Sequence, residues 1–383
     1  MEKVKLAIIG ASYLQEPLIQ KAKSRGMETH VFAWQVGDVG EKSADYFYPI
    51  SITEKEQILK KCREIGVDGI CTIASDLAAI TVGYVAEGMG LIGNSMESVE
   101  KSTNKHLMRQ CFELNGDPSP KSMQVNSIKD IKEAEFVFPV IVKPIDRSGS
   151  RGIIKVDSWV GLPQAIDRAK EQGFQKCALV EEFAEGLEYS VEYISWKGQH
   201  TFLAITKKYT TGDPMFIETG HMEPAPEFAR RGGSKLEEVK GVVEHALDSL
   251  GIEYGASHSE IKISPSGEIK IIEIGGRMGG DNIGASLVEL STGYDFLSGV
   301  IDVALGIEPK VVTSDIAAAG IRYICSEADL SVLEQLNRDN PEILVEEDIH
   351  EITGEQVTDS AGRFGYFTFA SKDADVVERY LCD

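Results

Sequence analysis

Apolar residues open the chain in short blocks. Runs over 4–10, 29–33 and 68–74 alternate with amphipathic stretches at Leu18–Arg25 and Glu54–Ile65, and that alternation of strand and helix periodicity implies parallel βαβ units. The pattern predicts a small doubly wound α/β domain over the first hundred residues. From about 103 to 300 the texture becomes α+β, with strands at Phe138–Lys143, Ala178–Phe183 and Tyr189–Ser195, a helix around Lys235–Leu250 and a hairpin at 256–274. Past 305, strand-like Ala318–Cys325 and Gly365–Ala370 accompany a helix near Leu330–Asn337, which reads as a C-terminal α+β cap. The expected boundaries are 1–102, 103–304 with two α+β lobes, and 305–383. No internal repeat or low-complexity tract interrupts them.

Composition narrows the function classes. With 383 residues, 42% of them hydrophobic, the chain can bury a sizeable core in more than one lobe. Its 39 Lys and Arg face 61 Asp and Glu, a formal net charge of -22, so nucleic acid and anionic membranes are expected not to be partners. A nucleotide is compatible with that balance, because a few local cations and backbone N–H groups can hold a triphosphate. The six cysteines are dispersed without a C-x-x-C pair, which points to a reducing cytoplasm rather than a disulfide scaffold or zinc knuckle. The run Val4 to Ile9 ends too soon at Gly10 for a signal peptide or membrane span. Gly10-Ala11-Ser12 lacks the G-x-G-x-x-G spacing, so a dinucleotide cofactor loses its support.

The sharpest chemical signal is a hairpin. Gly255 to Ile263 and Ile269 to Ile274 flank Ser264-Pro-Ser-Gly-Glu268, a turn composition between two β-rich runs. A four-residue loop at 265–268 sets Ser264 against Ile269, Ile261 against Ile272 and Glu260 against Glu273. Directly opposed carboxylates lie only about 4.5–5.5 Å apart at Cβ and repel. A cation between them removes that cost, and magnesium, which shares its shell with substrate phosphates, is the natural candidate. Period-two geometry adds His258 to the face of Glu260, and Gly275 and Arg277 to the face of Glu273, where Arg277 would reach the same phosphates. The alternative is a solvated hairpin face with both glutamates in water.

Two further segments carry phosphate chemistry. The strand ending at Lys143 runs into Asp146-Arg-Ser-Gly-Ser-Arg-Gly152, a loop of small residues whose backbone N–H groups can approach phosphate closely. Lys143 would add a point charge from a rigid strand; an ordinary turn with a snorkelling lysine is the alternative. Lys105 opens a probable helix with Asn104 or Thr103 as its cap. Leu179-Val-Glu-Glu-Phe-Ala-Glu-Gly186 is a strand whose edge beside Phe183 could pair with a purine, and a plain edge strand is the default.

Taken in order, these segments resemble the ATP-grasp superfamily over roughly residues 1–300, specifically the branch of biotin carboxylase, the carbamoyl-phosphate synthase large chain and the L-amino-acid ligases. The resemblance implies an ATP-grasp fold with an N-terminal Rossmann-like pre-ATP-grasp domain, a nucleotide between the two lobes of 103–304, and a C-terminal cap. By the same resemblance, Lys105 and Lys143 hold the nucleotide phosphates, and Ser148, Gly149, Ser150, Arg151 and Gly152 form the loop over them. Glu181, Glu182, Phe183 and Ala184 match the hinge that brackets adenine, and Glu188 the group that takes the ribose hydroxyls. Glu260 and Glu273 fit the paired magnesium carboxylates, with Mn2+ able to substitute, and Arg277 the arginine that steadies the transferring phosphate.

Gly275 departs from the asparagine of many relatives, which leaves the number of metal ions open. Gly275–Asp281 and Glu218–Pro224 look like the amino-acid-ligase side of the branch. The implied activity is ATP-dependent ligation of a small-molecule carboxylate to an amine through an acyl phosphate, with a family expectation of a homodimer. His258 and His221 are candidates for orienting substrate or accepting the amine's proton, with a structural role as the alternative for each. Asp281 or Glu218 could bind an ammonium group, and Asp76 sits where open α/β sheets place ligands. A carboxylase, a carbamoyl-phosphate-like enzyme or a sugar-phosphate amine ligase of the same superfamily is the alternative activity, and a non-catalytic nucleotide-binding module is the third reading.

Overall fold

The computed structural model describes residues 3–132, 135–147, 152–213, 216–231, 233–314, 316–353 and 356–382. The alternating blocks at the start form a parallel sheet of β1 (Lys5–Ile9), β2 (Glu28–Phe32), β3 (Tyr46–Tyr48) and β4 (Gly69–Cys71), in the order β3-β2-β1-β4. Strand β3 was not among the expected ones. The helix after β4, Asp76–Met89, starts where the Ser75 side chain accepts the Ala78 N–H and stops at Gly90, whose φ of 70° suits glycine.

A second, antiparallel sheet holds β5 (Ser122–Val125), β6 (Val140–Pro144), β7 (Ile154–Val156) and β8 (Ala178–Glu182), ordered β5-β8-β6-β7. The amphipathic helix Leu162–Gln172 backs it, burying Leu162, Ala165, Ile166 and Ala169 against Val140, Val142 and Val180.

The third sheet has eight strands: β9 (Leu187–Trp196), β10 (Gln199–Thr210), β11 (Glu218–Glu223), β12 (Gly255–Ile263), β13 (Ile269–Gly275), β14 (Ala318–Tyr323), β15 (Leu344–Ile349) and β16 (Gly365–Ser371). Their order is β13-β12-β9-β10-β11-β14-β16-β15. The ladder therefore runs unbroken past residue 305, and the C-terminal strands extend the same sheet.

One face of this sheet is apolar. Val191, Ile205, Ile261 and Ile271 pack against Met108, Phe112, Val239, Val243 and Leu247 of helices Lys105–Asn115 and Ser234–Leu250, each fully buried aliphatic contributing on the order of 1.5–3 kcal/mol. The opposite face turns its polar side chains toward the second sheet. The first domain is joined to the large sheet by a shared core in which Ile70 and Ile73 meet Met278, Val300 and Ala304. Gly69 makes that approach possible, since a Cβ there would lie 2.6 Å from the Ala304 carbonyl oxygen.

Candidate active site

Between the second sheet and the polar face of the large one lies an open cleft of about 1150 Å3. Lys143, Glu181, Glu182, Phe183 and Ala184 line it from one side, and Lys105 reaches in from the start of the helix Lys105–Asn115. Glu188, Glu218, His258, Glu260, Glu273 and Arg277 line it from the other. Ser148, Gly149, Ser150 and Arg151 lie outside the described residues. Gly152 is described, with a φ of 73° that favours glycine.

Glu260 and Glu273 are direct partners across β12 and β13, but by a different route from the expected one. The loop is three residues, 265–267, closed by the Ser264 N–H to the Glu268 carbonyl at 2.9 Å, with Gly267 at φ 90°. Near the turn Ile261 therefore pairs with Ile271, not Ile272, and a bulge restores the Glu260–Glu273 pairing. The bulge also lets two consecutive residues, Ile272 and Glu273, line one cleft, which a regular strand forbids.

Each hairpin carboxylate meets an ammonium group. Lys208 Nζ lies 2.7 Å from Glu260, 3.1 Å from Glu188 and 3.6 Å from Glu218. Burial alone would lower the Lys208 pKa, yet these three carboxylates, Glu260 first, hold it well above the ordinary value. Burial likewise would raise the Glu260 pKa, and Lys208 and His258 instead hold it well below the usual carboxylate range. Lys105 Nζ sits 2.5 Å from Glu273, which overrides burial and raises its pKa. Two hard oxygen donors on one wall of a cleft fit a magnesium ion. Among the described residues no group of three or more His, Cys, Asp or Glu could hold a metal, so such an ion would complete its shell with phosphate and water, as magnesium prefers.

The phosphate side has a brace that sequence reading missed. Glu181 is buried between Arg109 Nε at 2.7 Å and Lys143 Nζ at 2.5 Å, so its side chain steadies the lysine. Lys143 is pushed below the ordinary lysine value by burial, with Arg109 and Lys105 opposing the pull of Glu181. Three cations crowded about Glu181 and Glu273 form an environment that an anionic ligand relieves. Arg109 falls four residues after Lys105, one turn along the same helix face, and that spacing was the available signal. Phe183, Ala184, Ile141 and Ile272 give this end of the cleft an apolar slot, with Lys155 and Lys262 Nζ at 5.0 and 5.4 Å from the Phe183 ring centre. Glu188 carries Lys208 and, at 3.8 Å, Lys262.

At the other end, Arg277 is held bidentately by Asp76, Nε to Oδ1 at 2.7 Å and Nη2 to Oδ2 at 3.1 Å. Asp76 is thus the counter-ion of Arg277. Gly275 explains the fit, since a Cβ there would lie 3.1 Å from both Arg277 Cζ and Asp76 Oδ1. The space an asparagine would use is filled by this ion pair. His258 Nδ1 lies 2.5 Å from the buried Glu192; burial lowers its pKa, but Glu192 and Glu260 raise it to about 9. A charged imidazole here donates and orients, and its Nε2 stands 3.5 Å from Glu260. Gly279 permits the contact, because a Cβ there would fall 2.6 Å from His258 Nδ1. His221 and Asp281 stand behind Glu218, off the cleft wall, with Asp281 paired to Arg363 at 2.9 Å.

An apolar slot, a cluster of cations and an acidic hairpin thus face one cleft. Residues 136–285 match the family model of the ATP-grasp domain. The L-amino acid ligase of Bacillus licheniformis superposes with a TM-score of 0.84 at 21% identity, over 100% of this chain and 96% of that one. The N5-carboxyaminoimidazole synthetase of Staphylococcus aureus, complexed with ADP, gives a TM-score of 0.79 at 17% identity over 99% and 96%. By sequence, the alanine–anticapsin ligase of Bacillus subtilis is 26% identical over 275 residues, 65% of this chain and 56% of that protein; the match thus spans little more than half the length of that relative. Residues 136–285 thus match an ATP-grasp domain, and the whole chain takes up the fold of those solved structures. Among the described residues no helix is long and apolar enough to cross a membrane.

Proposed function

We propose that the protein is an ATP-dependent carboxylate–amine ligase working through an acyl phosphate, with amino acids as the first substrates to test. The observation that carries the reading is the opposed pair Glu260 and Glu273, set in one cleft with Lys105, Lys143 and Arg277. The apolar slot at Phe183, Ala184, Ile141 and Ile272 takes the adenine, and Lys105 and Lys143 take the phosphates. Glu260 and Glu273 hold magnesium, which when bound neutralises charge on the transferring phosphoryl group. Arg277, fixed by Asp76, presents its guanidinium to the carboxylate and to the acyl phosphate formed from it. An amine then displaces phosphate, and no covalent protein nucleophile is required.

Relatives named as an alanine–anticapsin ligase and an L-amino acid ligase support the choice of amino acids. The test is phosphate release from MgATP with pairs of amino acids, and separately with bicarbonate. Release with amino-acid pairs that falls at least ~100-fold in Glu260→Gln/Glu273→Gln is expected. Release with bicarbonate alone would move the protein to the carboxylase reading, and an unaffected double variant would remove the metal site. The same reading includes a cytoplasmic homodimer in which Mn2+ can replace Mg2+, checked by light scattering and by metal substitution in the same assay.

A further inference from the structure

Glu218, which lines the cleft, is backed by a second polar cluster. Behind that residue, Arg363 from the C-terminal segment donates through Nη2 to Glu218 Oε2 at 3.1 Å and through Nη1 to Asp281 Oδ2 at 2.9 Å. The Ser360 hydroxyl donates to the same Glu218 oxygen at 2.9 Å. The guanidinium lies 3.8 Å from the Tyr323 ring centre, and the Tyr323 hydroxyl donates to the Asp281 carbonyl at 2.8 Å. Planar stacking and a fork of two charge-assisted bonds leave Arg363 little freedom.

Three observations set this cluster apart from a merely structural one. The Arg363 side chain is only 6% exposed, whereas that of Asp281 is 25% exposed, so the carboxylate is the open group. Asp281 and Asn282 both adopt left-handed backbone, at φ 52° and 58°, a conformation that persists in non-glycine residues when the surroundings enforce it. Beside them His221 is fully buried, yet neither ring nitrogen has a hydrogen-bond partner among the described residues. Its Nε2 stands 3.8 Å from Asp281 Oδ2, beyond direct bonding. A buried imidazole without partners next to an open carboxylate marks a place where a polar group of a ligand can enter.

The charges give the ligand its sign. Glu218 and Asp281 share one guanidinium, and the other cation near Glu218, Lys208, is closer to Glu260 and Glu188. We propose, resting on the ligase reading above, that Asp281 and Glu218 form an anionic wall for an ammonium group borne by the substrate, and that Arg363 is the positioning residue that sets the wall's geometry. The C-terminal segment thereby takes part in substrate choice, while the nucleotide is held by other parts of the chain.

The test uses the full chain with MgATP and matched substrates with and without an ammonium group: L-alanine against L-lactate for one at the α-carbon, L-lysine against L-norleucine for one on the side chain. Each is offered with glycine as the second substrate, and phosphate release is followed. The wild type is expected to favour the cationic member of at least one pair tenfold or more in kcat/KM, and Asp281→Asn to erase that preference. Arg363→Lys, which keeps the charge but loses the fork, is expected to raise KM for the favoured substrate about tenfold with KM for MgATP unchanged. Equal use of both members in both pairs, or a preference that survives Asp281→Asn, overturns the inference alone. An unchanged substrate KM in Arg363→Lys overturns the positioning role. Absence of phosphate release with every substrate and with bicarbonate, together with no binding of MgADP, overturns the ligase reading and this inference with it.

Discussion

The two ends of the cleft are built on different principles. At the nucleotide end, Lys143 and Glu181 stand on neighbouring strands of one sheet, Lys105 and Arg109 lie one helical turn apart, and Glu260 and Glu273 share a hairpin. At the substrate end, Arg277 depends on Asp76, 201 residues away, and Asp281 on Arg363, 82 residues away. The first end is assembled from local pairs that are then tied together over 72 and 168 residues, Arg109 to Glu181 and Lys105 to Glu273, whereas the second rests on single long-range ion pairs.

The largest effect that would break the contrast is expected at Glu181→Gln. It removes the carboxylate that Arg109 and Lys143 share, leaving two buried cations unpaired, and a loss of about 3 kcal/mol in stability follows from breaking a buried pair. Urea unfolding measures it, and MgADP affinity should fall as Lys143 loses its anchor. Stability unchanged from the wild type would mean that Glu181 is not the brace of the nucleotide end.

Gly275→Asn sharpens the comparison at the other end. Its Cβ would press on both Arg277 and Asp76 at 3.1 Å, at a cost of about 1–3 kcal/mol for overpacking. Turnover should drop roughly tenfold by displacement of Arg277, with MgATP KM nearly constant. Increased turnover would show instead that the added amide serves as a further metal ligand.

A further test is set by pH. Glu223 is fully buried, accepting hydrogen bonds from Thr206 and Ser291. Burial pushes its pKa from the ordinary 4.5 to about 8. Between those values the folded protein keeps a proton that the unfolded chain releases, so this contribution to stability, full below about 4.5, is lost as pH rises toward 8. Thermal melts from pH 5 to 8 should show wild type losing ground to Glu223→Gln as pH increases. Parallel curves would place Glu223 in its ionised form.

Much of this was legible in the chain before folding, and the failures have physical reasons. The parallel first domain, the hairpin and the helix at 234–250 follow from hydrophobic period. Strand β15 did not, because Val345 through Ile349 are exposed and carry no alternation of burial. Strand β10 was not predicted, because Lys207-Lys208 interrupts its apolar run; three carboxylates surround Lys208. The Glu260–Glu273 pair emerged from a turn one residue too long, and a bulge supplied the missing residue. Arg109 was available from helical spacing. Arg363 was not, since no local pattern connects it to Glu218 or Asp281.

The unbroken ladder from β13 to β15 has a practical corollary for anyone trimming the gene. Ending the polypeptide near residue 304 would strip β14 from β11, leaving a long row of naked amide and carbonyl groups on the rim of the large sheet. Such a raw border recruits other molecules edge to edge, so a shortened version is expected to precipitate or form multimers in size-exclusion chromatography, not to yield a minimal working enzyme.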